Sequence, residues 1–313
     1  MQIPQITNNP TKVQLARPSY IYVEHPDLDE FANFASDFGF TRIRGGAFVA
    51  QSREEFDKAA KIEGARLGSI ASAPGGGEII PFNRPDDTFF HVVYGQKERQ
   101  LDSQEPSAIN EELGPFNMPF TRPRQGEQHG LLGHYVYVFP DFDNELAWYT
   151  NNFNFVSSDI LHHWDLENVD VMVSLHLDLG AEFSDHHCMF IQRAKPHVKK
   201  AFCHHTSFEV ADFDTQLIGH QWLAFKKWHS VWGVGRHVLG SQIFDYWADP
   251  SGFKIEHYAD GDLVNKDTAT TRDVVGPFSV WGPEMPKDFG GEIPEAFYAM
   301  NSPDEGLLSR WWH

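Results

Sequence analysis

The sequence predicts an α+β protein made of repeated strand and helix units, and three observations carry that reading. The phrase "GHYVYVFPDFD" from Gly133 recurs as "HHTSFEVADFD" from His204, with seven residues from His134 to Asp141 and again from His205 to Asp212. Each copy runs from an acidic turn into a segment of helical period. Two later stretches also rhyme, "IPFNRPDDTFFHVVYG" from Ile80 and "FDYWADPSGFKIEHYADG" from Phe244, each reading as two strands joined at a proline. Self-similarity of this kind marks repeated supersecondary units, and the irregular spacing excludes a solenoid.

Taken in order, "SYIYVEHPDLDEF" from Ser19 is a degraded first copy, with a strand over 19–24 and serine where the other copies carry histidine. Phe31, Phe34, Ala35 and Phe38 then fall on one helical stripe, with Gly39 placed to end it. After the strand-like "GAFVA", the helix "SREEFDKAAKIEG" opens with Ser52 and Glu55 at capping-box spacing. A hairpin turning at Pro85 follows, and then a segment over 97–130 rich in Pro, Gly and charge, which reads as a connection between domains.

The strand of "GHYVYV" leads into a helix with Leu146, Tyr149 and Phe153 on its apolar face. The strand at His205 leads into a helix with Ile218, Trp222, Phe225 and His229 on one stripe, and the second hairpin turns at Pro250. The Asp before each helix is placed to cap it. The chain thus divides into four βαβββ-like units, over 18–50, 46–97, 130–195 and 203–262, in two pairs. The tail from Gly282, rich in Pro, Gly and acidic residues, reads as an extended arm packed on the body, with docking of its "SRWWH" end on a neighbouring subunit as the alternative.

Composition narrows the function. A chain of 313 residues with 41% hydrophobic content suits two domains or a duplicated core. A formal charge of -19 opposes binding to nucleic acid or to an anionic membrane. Two cysteines, Cys188 and Cys203, are too few for a disulfide framework and fit a reducing cytosol. No run approaches the roughly 18 apolar residues of a membrane helix, and the start lacks a signal-peptide pattern, so a soluble cytoplasmic protein is expected.

The repeats place three chemically capable residues at related positions. His134 and His205 occupy the same place in sister strands, and Glu256 lies six residues past Pro250, where the first hairpin carries His91. Two imidazoles and a carboxylate on one side of a metal are the facial triad of non-haem Fe(II) oxygenases. The same residues also suit hydrogen-bonded core histidines, and spacing alone does not choose. Neighbours on a strand point to opposite faces, so one histidine of each doublet is expected to face a shared cavity. The register with "GHYVYV" selects His205 over His204.

The phrases "GHYVYVFPDFD", "SLHLDLGAEFSDHHCMF", "HHTSFEVADFD" and "GVGRHVLGSQIFDYWADPSGFKIEHY" together resemble the type I extradiol ring-cleaving dioxygenases of the vicinal oxygen chelate superfamily. The resemblance covers most of the C-terminal half, whereas the N-terminal half matches in module pattern only. It implies two domains, each an incomplete mixed β-barrel with helices outside: a metal-free N-terminal domain with its linker over 1–125, and a catalytic iron-binding domain over 126–281. An arm over 282–313 follows. It implies Fe(II), with Mn(II) also suited, held by His134, His205 and Glu256, and O2 as co-substrate. His187 matches the acid/base residue, in preference to His186, and His237 and Tyr246 match groups that hydrogen-bond the substrate.

The activity so implied is extradiol cleavage of a catechol to a ring-opened semialdehyde or keto acid, by a homo-oligomer. Ser19 and His91 leave the N-terminal half without a matching triad. Cys188 is expected to pack away from His187, and His176 and His257 have no assigned role. A glyoxalase-like isomerase normally recruits a fourth protein ligand, which the repeat does not offer at Ser19. A metal-free binding protein of the same fold would have no use for His187, His237 and Tyr246 beside the triad.

Overall fold

In the computed structural model of the chain, residues 2–20, 27–38, 46–71, 75–84, 89–97, 132–287 and 289 are described. The Pro85 turn, the connecting segment over 98–131 and the arm from 290 onward lie outside them. The described residues form an α+β fold of mixed sheets and four helices.

The N-terminal half gives β1 (Leu15–Tyr20), α1 (Leu28–Asp37), β2 (Ala47–Ala50), α2 (Arg53–Ala59), β3 (Gly68–Ser69), β4 (Glu78–Asn83) and β5 (Phe89–Tyr94). Its strands form one sheet in the order β1-β2-β5-β4-β3, with β2 and β5 parallel and the other neighbours antiparallel. The stripe expected in α1 is the buried one, since Phe34, Ala35 and Phe38 are enclosed. At α2 the Ser52 hydroxyl accepts from Glu55 N at 3.2 Å, but the Glu55 carboxylate accepts from Gln14 N at 2.8 Å. The second half of the predicted capping box therefore ties the helix to Gln14, just ahead of β1, instead.

The C-terminal half contains two units of the same build. The first is β6 (Leu132–Phe139), α3 (Phe142–Asn152), β7 (Phe155–His163), β8 (Leu166–Leu177), the short β9 (Ser184–Asp185) and β10 (Met189–Arg193). The second is β11 (Phe202–Glu209), α4 (Phe213–Phe225), β12 (His229–His237), β13 (Ile243–Ala248) and β14 (Lys254–Ala259). Three further strands follow, β15 (Leu263–Val264), β16 (Thr271–Val274) and β17 (Ser279–Trp281). Apart from β9 and β15, which pair with each other, these strands form one sheet in the order β16-β7-β8-β10-β6-β11-β14-β13-β12-β17. The two units are arranged symmetrically about the antiparallel pair β6 and β11.

Along that central pair His134 lies opposite Ser207 and His205 opposite Val136, so each histidine stands two residues from its sister's partner. On β14, Glu256 pairs with Ser207, and the matching position of the first unit is Phe190, paired with Val136. The symmetry therefore presents two histidines and only one carboxylate.

One aromatic-rich core joins both sheets. Phe48 lies 5.9 Å from Tyr135 and 5.3 Å from Phe155, and Phe90 lies 5.3 Å from Tyr149. Leu146, Tyr149 and Phe153 are buried, as the period of α3 predicts. The guanidinium of Arg84 closes this seam with a fork onto Glu145 at 3.1 and 3.2 Å while stacking over Trp148.

Helix α4 departs from its predicted face. Its buried residues are Gln216, Gly219 and Leu223, while Phe225 is 75% exposed and His229 belongs to β12. The reason is polar: the Gln216 amide donates to the carbonyls of Ile243 and His257 at 3.0 and 2.9 Å, and this anchor turns the helix off its most apolar stripe. Such a bond is hard to replace once both carbonyls are buried.

Candidate metal centre

His134, His205 and Glu256 come together at the centre of the C-terminal sheet. Each offers one ligand atom, and the three atoms lie within 4.8 Å of one another. Nε2 of His134 stands 3.2 Å from Oε2 of Glu256, Nε2 of His205 stands 3.6 Å from it, and the two Nε2 atoms are 3.4 Å apart. Cis ligands of an octahedron with bonds of about 2.1 Å lie about 3.0 Å apart, so the triangle is close to the size a facial set requires.

The polar atoms support the same fit. The Glu256 side chain is 0% exposed, and neither of its carboxylate oxygens has a hydrogen-bond partner. A buried ionised carboxylate without partners is costly unless a cation neutralises it. Burial alone would raise the Glu256 carboxyl, but the neighbouring His134 and His237 outweigh it and hold the group well below the usual carboxylate range. Burial likewise holds His205 well below the usual imidazole range, aided by His204. Neutral imidazole and ionised carboxylate are the forms that bind a metal.

The doublet at His204 behaves differently from the alternation expected of a strand. The pairing of β11 with β6 slips between Cys203 and His205, a β-bulge, and both histidines line the same cavity. Their Nδ1 atoms are 2.7 Å apart, and Nε2 of His204 lies 2.6 Å from the carbonyl of Phe289. The proton positions follow. His204 Nε2–H donates to that carbonyl, its Nδ1 accepts from His205 Nδ1–H, and His205 Nε2 keeps its lone pair for the centre.

The second doublet is ordered in the same way. His186 and His187 sit in the turn between β9 and β10, and His187 lines the cavity whereas His186 does not. Nε2 of His186 is 2.6 Å from Oδ2 of the buried Asp159, and its Nδ1 is 3.0 Å from Nδ1 of His187. Asp159 thus fixes the His186 tautomer, His187 donates from Nδ1, and His187 Nε2 is left for the cavity. Burial, with His134 and His186 adding to it, holds His187 well below its ordinary range. The His187 ring lies 4.1 Å from that of His134.

His237 and Tyr246 complete the wall. His237 Nδ1 lies 3.0 Å from the carbonyl of Phe278, to which its N–H donates, so Nε2 accepts the Tyr246 hydroxyl at 3.0 Å. That Nε2 is also 3.7 Å from Oε1 of Glu256. All six predicted residues are therefore gathered, and five of them line one cavity with Glu256 behind. The Asp159–His186 pair, His204 and the carbonyls of Phe278 and Phe289 escaped the sequence reading. A buried Asp with a His doublet is a signal the sequence contains, but the partnering carbonyls are not.

The remaining expectations resolve into structural roles. His176 Nδ1 bonds the Ser158 hydroxyl at 2.7 Å, the His257 ring stacks on Phe38 at 3.7 Å, and Cys188 is buried in the core. The Ser19 hydroxyl donates to Gln96 at 3.0 Å, and His91 is buried on β5.

Known proteins resemble the chain in sequence and fold. The chain is 30% identical to metapyrocatechase 2 of Cupriavidus necator over 217 residues, 66% of this chain and 62% of that relative's length. It is 25% identical to biphenyl-2,3-diol 1,2-dioxygenase of Paraburkholderia xenovorans over 276 residues, 86% of this chain and 81% of that relative. The chain is thus similar in sequence to extradiol dioxygenases and shares their fold. The fold is also that of homoprotocatechuate 2,3-dioxygenase from Arthrobacter globiformis, with a TM-score of 0.69 at 17% identity, over 93% of this chain and 94% of that one. No family model matches the chain.

Proposed function

We propose that this protein is an extradiol catechol dioxygenase that opens an aromatic diol with O2, using a non-haem Fe(II) held by His134, His205 and Glu256. The observation that carries the reading is the convergence of these three donor atoms beside a cavity that His187, His237 and Tyr246 also line. Bound there, the metal supplies electron transfer between the diol and dioxygen, whose triplet ground state otherwise reacts slowly with singlet organic molecules.

The chain's own groups supply the rest. Tyr246, with its hydroxyl proton held by His237, presents oxygen lone pairs to a substrate hydroxyl and fixes its position. His187 Nε2, unprotonated in the resting site, takes a proton from the substrate and returns it as the ring opens. Trp232 and Phe289 form an apolar side of the cavity and keep bulk water from the reacting groups. Both atoms of dioxygen enter the product, a semialdehyde or keto acid. We assign residues 126–281 to the catalytic domain and 1–125 to scaffold, in a cytoplasmic homo-oligomer. None of the described helices is long and apolar enough to cross a membrane.

The test is anaerobic loading of separate samples with Fe(II) and Mn(II), then exposure to air with a panel of catechols. Stoichiometric dioxygen uptake with yellow products is expected from the Fe(II) sample. Loaded protein that consumes no dioxygen with any diol would remove the assignment.

A further inference from the structure

We infer that the substrate is an uncharged catechol carrying a bulky apolar substituent, a second aryl ring or an alkyl group of similar size. This inference rests on the ring-cleavage reading above and concerns which diol the site accepts. The cavity measures about 410 Å³. A dry cavity of about 150 Å³ already accommodates benzene, so a bare catechol would leave most of this one unfilled.

The lining combines two characters. His134, His205, His187, His237 and Tyr246 supply its polar part, where the diol must lie. Beside them Val136, Leu161, Met172, Phe190, Leu239 and Pro277 contribute apolar surface. Phe190 is the sister of Glu256 in the repeat, so the position that provides a carboxylate in one unit provides an aromatic wall in the other.

Charge points the same way. Among the described lining residues there is no lysine or arginine, and the one carboxylate besides the metal site is Asp273, at the exposed strand β16. A carboxylate on the substrate would lose its hydration against the apolar wall without a lysine or arginine of the lining to pair with. A neutral apolar group would instead replace water on surfaces that make no hydrogen bonds.

The test is anaerobic calorimetric titration of the Fe(II)-loaded protein with catechol, 3-phenylcatechol, 4-octylcatechol and 3,4-dihydroxyphenylacetate, followed by dioxygen uptake with each. Burial of the substituent should tighten binding of at least one bulky neutral diol roughly 10- to 100-fold over catechol. The carboxylated diol should bind more weakly than catechol. Met172→Trp, which fills the wall, should bring the ratio of bulky diol to catechol toward one, and the wild-type ranking decides the matter if that variant fails to fold. Equal or tighter binding of the carboxylated diol, or no gain with either bulky diol, overturns this inference. Tight binding of a bulky diol without dioxygen uptake supports the pocket assignment and removes the ring-cleavage reading instead.

Discussion

The decisive residues differ in what their loss should do. Replacing His134, His205 or Glu256 with Ala should abolish metal retention and turnover together, which metal analysis of the purified variants measures. His187→Ala should keep the metal but slow turnover by roughly 10²- to 10⁴-fold, the usual contribution of a positioned acid/base group. His204→Ala removes the acceptor of the His205 Nδ1–H without removing a ligand, so it should weaken metal affinity about 10- to 100-fold in a competition titration. At this scale much of the site is legible, because the repeat singles out His134, His205 and Glu256 and the family phrases supply His187, His237 and Tyr246. His204 is the instructive failure. Alternation along a strand places it on the far face, and the bulge between Cys203 and His205 that brings it back has no local sequence mark.

The elements are readable where apolar period alone decides their orientation. Helices α1 and α3 bury the faces their phenylalanines and leucine predict, whereas α4 is oriented by the hydrogen bonds of Gln216, a residue that period analysis counts as polar. Capping shows the same limit. Asp212 accepts from Thr215 N at 2.7 Å, but the Asp141 side chain makes no cap bond and holds the Asn144 amide instead. Asp212→Ala should therefore lower stability by about 1 kcal/mol, and Asp141→Ala by about 0.5 kcal/mol or less, in urea unfolding. Packing sets a third constraint beside the site. A Cβ on Gly133 would lie 2.1 Å from the Tyr258 hydroxyl, which itself donates to Asp185, so Gly133→Ala must displace that ring and shift the strand bearing His134. A loss of about 1–3 kcal/mol with weakened metal binding is expected.

For the whole molecule, the pairing of two like units in the C-terminal half is visible in the sequence because both repeat the same strand, turn and helix. The joining of both sheets through one core is not, since Phe48, Phe90 and Tyr149 meet across large sequence separations. Buried histidines set the molecule's response to acid. Burial pushes His91 and His176 down to about 4, and His204 and His257 down to about 3. An unfolded histidine titrates near 6.5, so below that pH the unfolded chain binds more protons and stability falls as pH drops toward 4. Asp249, pushed up to about 7 by burial, acts in the opposite sense over part of this range. Burial also raises Asp185, Glu209 and Asp245, but it lowers His187 and His205 as well, so the depressed histidines still outnumber the raised acids. Urea unfolding of the metal-free protein should therefore show stability decreasing from pH 7 to pH 5, by at most about 1.4 kcal/mol per pH unit for each uncompensated histidine.

Three carbonyls from the end of the described chain hold the site from outside: Phe278 binds His237, Pro283 binds the Trp232 indole and Phe289 binds His204. All three lie beyond β14, so the ribosome delivers them after the strands that carry the site. A nascent chain can thus assemble those strands while the pocket is still loosely tethered, and metal capture would then come late in maturation.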